Sequence, residues 1–195
     1  MSKKEIMNII RLLLIVIALG IAPLSVFSQT TVKLTEYEIE RIETIVHDFY
    51  DCSNVIAEEG PTAGHCMERL TVNYFGYRSH CPINNDFFTQ AEEDDGHYFR
   101  IEDTNYFSSF NAYCRALRKS DVQMEVVSMA PRDGEWVKTL MPKYSELEPD
   151  KYMVSIYVHK RIVSKYKSDT ITKDVLQTIN LRLPDYTISG IHSGK

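Results

Sequence analysis

From Tyr152 onward the chain alternates with a period of two. Tyr152, Val154, Ile156 and Val158 occupy one phase, Met153, Ser155, Tyr157 and His159 the other, and the pattern runs to about Lys165. That is the period of a β-strand, whose successive side chains point to opposite faces. Lys167-Ser168-Asp169 turns the chain. Ile171, Val175, Ile179, Leu181 and Leu183 then repeat the alternation, broken at Lys173 and Gln177. Pro184-Asp185 makes another turn before a short last strand over residues 186–191. Strands this long joined by turns this short pair antiparallel, because a parallel crossover needs a dozen or more residues. Such a meander carries one apolar face, and that face needs a cover.

The N-terminal half supplies it. Thr35-Glu36-Tyr37-Glu38 reads as a capping box, in which Thr35 accepts from the Glu38 amide while the Glu38 side chain reaches back. Behind it Ile39, Ile42, Val46, Phe49, Ser53 and Ile56 recur at three- and four-residue steps, predicting an amphipathic helix to about Ala57 that Gly60-Pro61 stops. Thr62 offers an N-cap for a shorter helix through Met67 and Leu70. Thr104 or Asn105 opens a third, carrying Phe107, Phe110, Cys114 and Leu117 and ending near Ser120. Residues 76–105 are less regular. Residues 122–129 are rich in β-branched side chains, and Pro131-Arg132-Asp133-Gly134 turns into a strand over residues 135–140. No repeat, linker or low-complexity segment interrupts this order. The expectation is one α+β domain, with N-terminal helices packed on a curved, mostly antiparallel sheet.

The first 28 residues read as an export signal rather than as part of that domain. Lys3, Lys4 and Arg11 form a positive start, residues 12–19 are wholly apolar, and Val26 and Ser28 stand at the −3 and −1 positions of a cleavage-like site. The uncharged run from Leu12 to Phe27 is interrupted by Gly20, Pro23 and Ser25 and falls short of the ~20 apolar residues a spanning helix needs. The expected division is a signal peptide over residues 1–28 and a single domain over residues 29–195, exported to the periplasm or secreted. The Val26-Phe27-Ser28-Gln29 ending resembles signal peptides of Bacteroidetes. The whole chain has a net charge of −5, and removing the leader takes away three cations and Glu5, leaving −7. That balance argues against nucleic acid as a partner, since phosphate binding relies on clustered Lys and Arg.

Four cysteines, Cys52, Cys66, Cys81 and Cys114, form an even set in an exported chain, which favours disulfides and permits three pairings. The sequential pairing, Cys52–Cys66 with Cys81–Cys114, closes the shortest loops. His65-Cys66 and His80-Cys81 repeat one dipeptide and suggest a zinc set. However, the Cys-x2–4-Cys opening of structural zinc sites is absent, and no metal is expected.

In element order the chain resembles the NTF2-like (SnoaL, ketosteroid-isomerase-like) superfamily over roughly residues 35–192. The closing stretch Ile179-Asn180-Leu181-Arg182-Leu183, followed by Tyr186-Thr187-Ile188-Ser189-Gly190-Ile191, looks like the paired last strands of that family. The resemblance implies a cone-shaped cavity between helices and sheet, often a ligand site, and frequent homodimerisation through the sheet.

Eleven of the 21 aromatic residues fall between Tyr74 and Tyr113, enough to fill a core or line an apolar pocket. The acidic run Glu92-Glu93-Asp94-Asp95-Gly96 suggests a calcium loop, but Ala91 would stand at its first ligand position, so a solvated loop is expected. Asp48 or His47 can serve as a base and Tyr50, Tyr74 or Tyr106 as a hydrogen-bond donor, the pairing that isomerase chemistry in an apolar pocket requires. His159 lies in a strand and His97 beside the acidic run. No G-x-S-x-G, H-E-x-x-H or glycine-rich phosphate loop is present. The sequence therefore points to a non-catalytic, cofactor-free exported domain that binds a small ligand or a protein partner through its concave sheet. The alternative is a cofactor-free isomerase- or dehydratase-like periplasmic enzyme using a pocket carboxylate or His with Tyr.

Overall fold

The capping box forms as expected. Thr35 Oγ1 accepts from the Glu38 amide at 3.2 Å, and Glu38 Oε2 accepts from the Thr35 amide at 2.9 Å. They open helix α1, Glu36–Ala57. Burial opposes ionisation of the Glu38 carboxyl, but hydrogen bonds from Lys138 and Thr35 outweigh it and hold the group below the usual range. Thr35→Ala is expected to lower the unfolding free energy by about 1 kcal/mol. The denaturant midpoint should fall with an unchanged slope, and an unchanged midpoint would show that the cap is idle. α1 ends at Ala57, as its spacing predicts, and Glu59 beyond it takes a left-handed turn at φ 52°.

The computed structural model describes residues 30–76, 81–86, 88–90, 98–100, 106–120, 122–166 and 169–193. The leader, His80, the acidic run Glu92–Asp95, His97 and the expected caps Thr104 and Asn105 lie outside the described residues. After α1 come α2 (Ala63–Leu70), a single π-helical turn (Thr71–Phe75) and α3 (Phe110–Arg118). The strands are β1 (Thr31–Lys33), β2 (Ile83–Asn84), β3 (Phe88–Gln90), β4 (Tyr98–Arg100), β5 (Tyr106–Phe107), β6 (Val122–Pro131), β7 (Val137–Leu140), β8 (Tyr152–Tyr166), β9 (Asp169–Leu183) and β10 (Thr187–Ser193).

The long hairpin is the backbone of an eight-stranded sheet. β8 and β9 pair antiparallel over their full length, from Tyr152↔Leu183 to Tyr166↔Asp169, and the order runs β1-β7-β8-β9-β10-β2-β5. β6 and β7 do not form the simple meander expected of successive strands. Both pair with β8 instead, β6 along Ile156–Ser164 and β7 at Tyr152 and Met153. β2 joins β10 in parallel and brings β5 with it; β3 and β4 make a separate ribbon. The last strand starts at Thr187, because Tyr186 sits at φ 53°, outside the β region.

Two helix starts also differ. α3 begins at Ser109, whose Oγ accepts from the Ala112 amide, so Phe107 falls in β5 rather than on the helix. Thr62 precedes α2 in a helical conformation, and its side chain caps nothing.

The apolar phase of β8 faces α1. Val154, Ile156, Val158 and Ile162 are buried with Ile42, Ile45, Phe49 and Ile56 of the helix and with Ile179 and Leu181 of β9. Phe49 stacks on Tyr113 at 5.7 Å between ring centroids, and Phe75 on Phe110 at 4.4 Å. Much of the aromatic cluster is therefore core, although Tyr106 is half exposed. Asn54 of α1 bonds both the amide and the carbonyl of Met124, at 2.7 and 2.8 Å, and so occupies the free edge of β6 with a side chain.

Candidate functional site

Besides Ser164 near the end of β8, two positions in the buried phase of the hairpin are not apolar. Lys160 stands between Val158 and Ile162 on β8, and Gln177 lies directly opposite Val158 on β9. Both are almost fully enclosed, with 2% and 1% exposure. The chain leaving β2 brings Asp86 to them, because β2 is anchored on β10 through the Ile191↔Ile83 pair. Lys160 Nζ lies 3.3 Å from Asp86 Oδ2. Gln177 Nε2 donates to the same oxygen, and Asn84 Nδ2 donates to Oδ1. From the helix side, Tyr50 Oη donates to Gln177 Oε1 at 2.7 Å. The Lys160 ammonium sits 5.2 Å above the Tyr50 ring and 3.8 Å from Met124 Sδ. Tyr113 extends the cluster, its hydroxyl 3.9 Å from Met124 Sδ and 3.3 Å from Ser53 Oγ.

The electrostatics follow from enclosure. Burial drives the Lys160 ammonium down from its ordinary pKa, and Asp86 pulls it back in part. Burial, reinforced by Tyr113 and Asp86, pushes the Tyr50 phenol well above the usual range, so Tyr50 remains a neutral donor. Moving an ammonium and a carboxylate out of water costs several kcal/mol per ion, and a hydrophobic pair of the same volume often serves stability as well or better. The result is a hydrogen-bonded polar cluster enclosed in the apolar layer between a helix and the sheet.

The residues singled out from sequence are placed differently. Tyr50 joins the interior cluster. His47 lies exposed on α1, and Tyr106, half exposed on β5, is the strand partner of Asn84, whose side chain bonds Asp86. Asp48 and Tyr74 do meet, Tyr74 Oη donating to Asp48 Oδ2 at 2.8 Å. That carboxylate also pairs with Arg69, whose Nη2 lies 2.8 Å from Cys52 Sγ. Burial and Asp48 together raise the Tyr74 phenol to about 12. This outer cluster ties α2 and the π turn to α1. Asp48 borders a broad, shallow depression of about 620 Å³ with Glu40, Glu43, His47 and Asp51, open to solvent on the outer side of α1.

All four cysteines are thiols rather than disulfides. The Cys81 thiol donates to the Ile188 carbonyl at 3.6 Å, and Cys114 is buried on α3. Among the described residues, no three His, Cys, Asp or Glu side chains converge on a metal position, and no helix is long and apolar enough to cross a membrane.

Lys160, Asp86 and Gln177 were missed by motif reading. Gln177 had a signal, as an interruption of the apolar alternation in β9. Lys160 had the same one, a cation in the phase of Val154, Ile156 and Val158. Asp86 had none, since its place depends on a single parallel pair, Ile191↔Ile83.

No protein-family model and no curated protein sequence matches this chain. Among solved structures it is similar to the crystal structure of a putative polyketide cyclase from Xanthomonas campestris pv. campestris, with 9% identity over 78% of this chain and 88% of that one. The TM-score is 0.32, too slight a likeness to carry fold or function from one chain to the other.

Proposed function

We propose that the protein is an exported, NTF2-like domain that binds a small molecule between α1 and the sheet, without chemical turnover. The observation that carries this reading is the enclosed Tyr50–Gln177–Asp86–Lys160 cluster within an otherwise apolar layer. Asp86 is engaged by one ammonium and two amide donors, so it is a fixed anchor. Lys160 has three N–H donors, against a carboxylate, a thioether and an aromatic face. It suits an acceptor oxygen, a carbonyl or carboxylate, on a ligand admitted to the layer between α1 and the sheet. The leader motif over residues 1–28 supports export.

The directly bonded Asp48–Tyr74 pair favours the second reading, a cofactor-free isomerase or dehydratase. Arg69 weakens it by holding the same carboxylate in an ion pair.

A native mass spectrum of the protein purified from its own exported fraction tests the first reading. The expected result is a chain beginning at Gln29 that carries a noncovalent small molecule, lost in Lys160→Met while the folded charge-state envelope is kept. A bare chain of that mass, or an adduct indifferent to Lys160, would overturn it.

A further inference from the structure

The outer cluster contains a pair of thiols that ligand binding does not use. Asp48 and Cys52 lie one turn apart on α1, and Cys66 and Arg69 lie one turn apart on α2, so the two helix faces meet as a four-residue contact. Within it Arg69 spans from Asp48 to Cys52 Sγ, and Cys66, three residues before Arg69 on α2, lies close enough to the Cys52 thiol to help raise it. Cys52 is 1% exposed, whereas Cys66 is only half-buried. We propose that Cys52 and Cys66 are a redox pair that closes, on meeting a disulfide-bearing oxidant, into a bridge stapling α2 to α1.

The asymmetry of the pair sets the order of events. Cys66 meets the oxidant first. Its thiolate attacks one sulfur of a disulfide R–S–S–R, the S–S bond breaks, and the departing thiolate takes up a proton to leave as RSH. Cys52 then gives up its proton and attacks Cys66 Sγ in the mixed disulfide, expelling the second RSH. In sum two protein thiols are oxidised to one disulfide and R–S–S–R is reduced to two thiols. Burial pushes the Cys52 thiol up to about 12, so it waits protonated until Cys66 carries the leaving group. Arg69, 2.8 Å from Cys52 Sγ, is the positioning residue that favours the thiolate in the second step. Cys81 and Cys114 are buried on β2's approach and on α3, apart from this contact, and serve as internal controls.

The test uses the full chain, reduced and then exposed to oxidised glutathione at pH 8, with denaturation, alkylation and peptide mapping. The expected product has lost two hydrogens, links Cys52 to Cys66 and leaves Cys81 and Cys114 alkylated. The chain loop between the two sulfurs is roughly 15 residues, so the bridge is expected to lower the unfolding equilibrium constant on the order of a hundredfold. Cys66→Ser should form no bridge. Arg69→Met should hold glutathione on Cys66 at least about tenfold longer before the bridge forms. Four alkylated thiols, a bridge involving Cys81 or Cys114, or a lasting glutathione adduct on the wild-type chain would each overturn the proposal.

Discussion

Lys160→Met is expected to lower the unfolding free energy by about 3–5 kcal/mol at pH 7, among the largest effects of any single substitution in this chain. Methionine fits the volume left by the lysine stem, so the loss does not come from a cavity. It comes from Asp86, left 8% exposed without its cation. Gln177 and Asn84 still donate to the carboxylate, which places the cost toward the lower end of the range. One control separates this cause from poor packing. The double variant Lys160→Met/Asp86→Asn, which removes both charges, should recover most of the loss. Urea unfolding of the four species closes the cycle. If the double variant is as unstable as the sum of the singles, the pair is not coupled and the interior cluster loses its basis as a ligand anchor.

The second large effect is alkaline. Burial raises the phenols of Tyr50 and Tyr113 above the usual range and that of Tyr74 to about 12, and raises the thiols of Cys52 and Cys114 to about 12. In the unfolded chain the thiols release their protons near pH 9 and the phenols near pH 10. The folded state therefore holds more protons than the unfolded state above pH 9, and stability falls as pH rises. All of the contribution is present below pH 9 and is lost progressively toward pH 12. Each group removes about 1.4 kcal/mol per pH unit within its own window, so several together act steeply above pH 10. Lys160 works the other way. Its ammonium is depressed by burial, so the folded state releases that proton first and gains stability as pH approaches 10.5. One such group does not offset five. Denaturant unfolding of the reduced protein should give a plateau from pH 7 to about 8.5 and then a sharp decline. A flat profile to pH 11 would contradict the enclosure of these side chains. Tyr50→Phe should soften the decline, because its phenol no longer titrates only in the unfolded chain.

Both effects arise where the chain departs from the pattern that made it readable. The long hairpin followed from alternation alone, because a period of two leaves a strand no other way to bury one face. α1 followed from its spacing and from Thr35 and Glu38, a motif complete within four residues. The third helix was misplaced at its start because Phe107, which fits the helical spacing, is taken up by β5 in pairing with Ile83. Spacing carries no information about a competing partner 24 residues away. The same limit hid β1, β2 and β5, whose two- or three-residue pairings have no period to detect.

The candidate site divides in the same way. Local chemistry in the sequence determined that one face of the β8–β9 hairpin had to be covered, that α1 was built to cover it, and that Gln177 interrupted the apolar phase. The tertiary structure decided what the interruption meant. It placed Gln177 beside Lys160, delivered Asp86 from a distant strand end, and set Tyr50 of the covering helix above them. It also turned Asp48 from a free base into the partner of Tyr74 and Arg69, and set Cys52 against Cys66. Periodicity reports the direction of a side chain relative to its own element, which is a local property. Which charge meets which depends on how elements dock, and that is settled by the burial of the whole apolar layer at once.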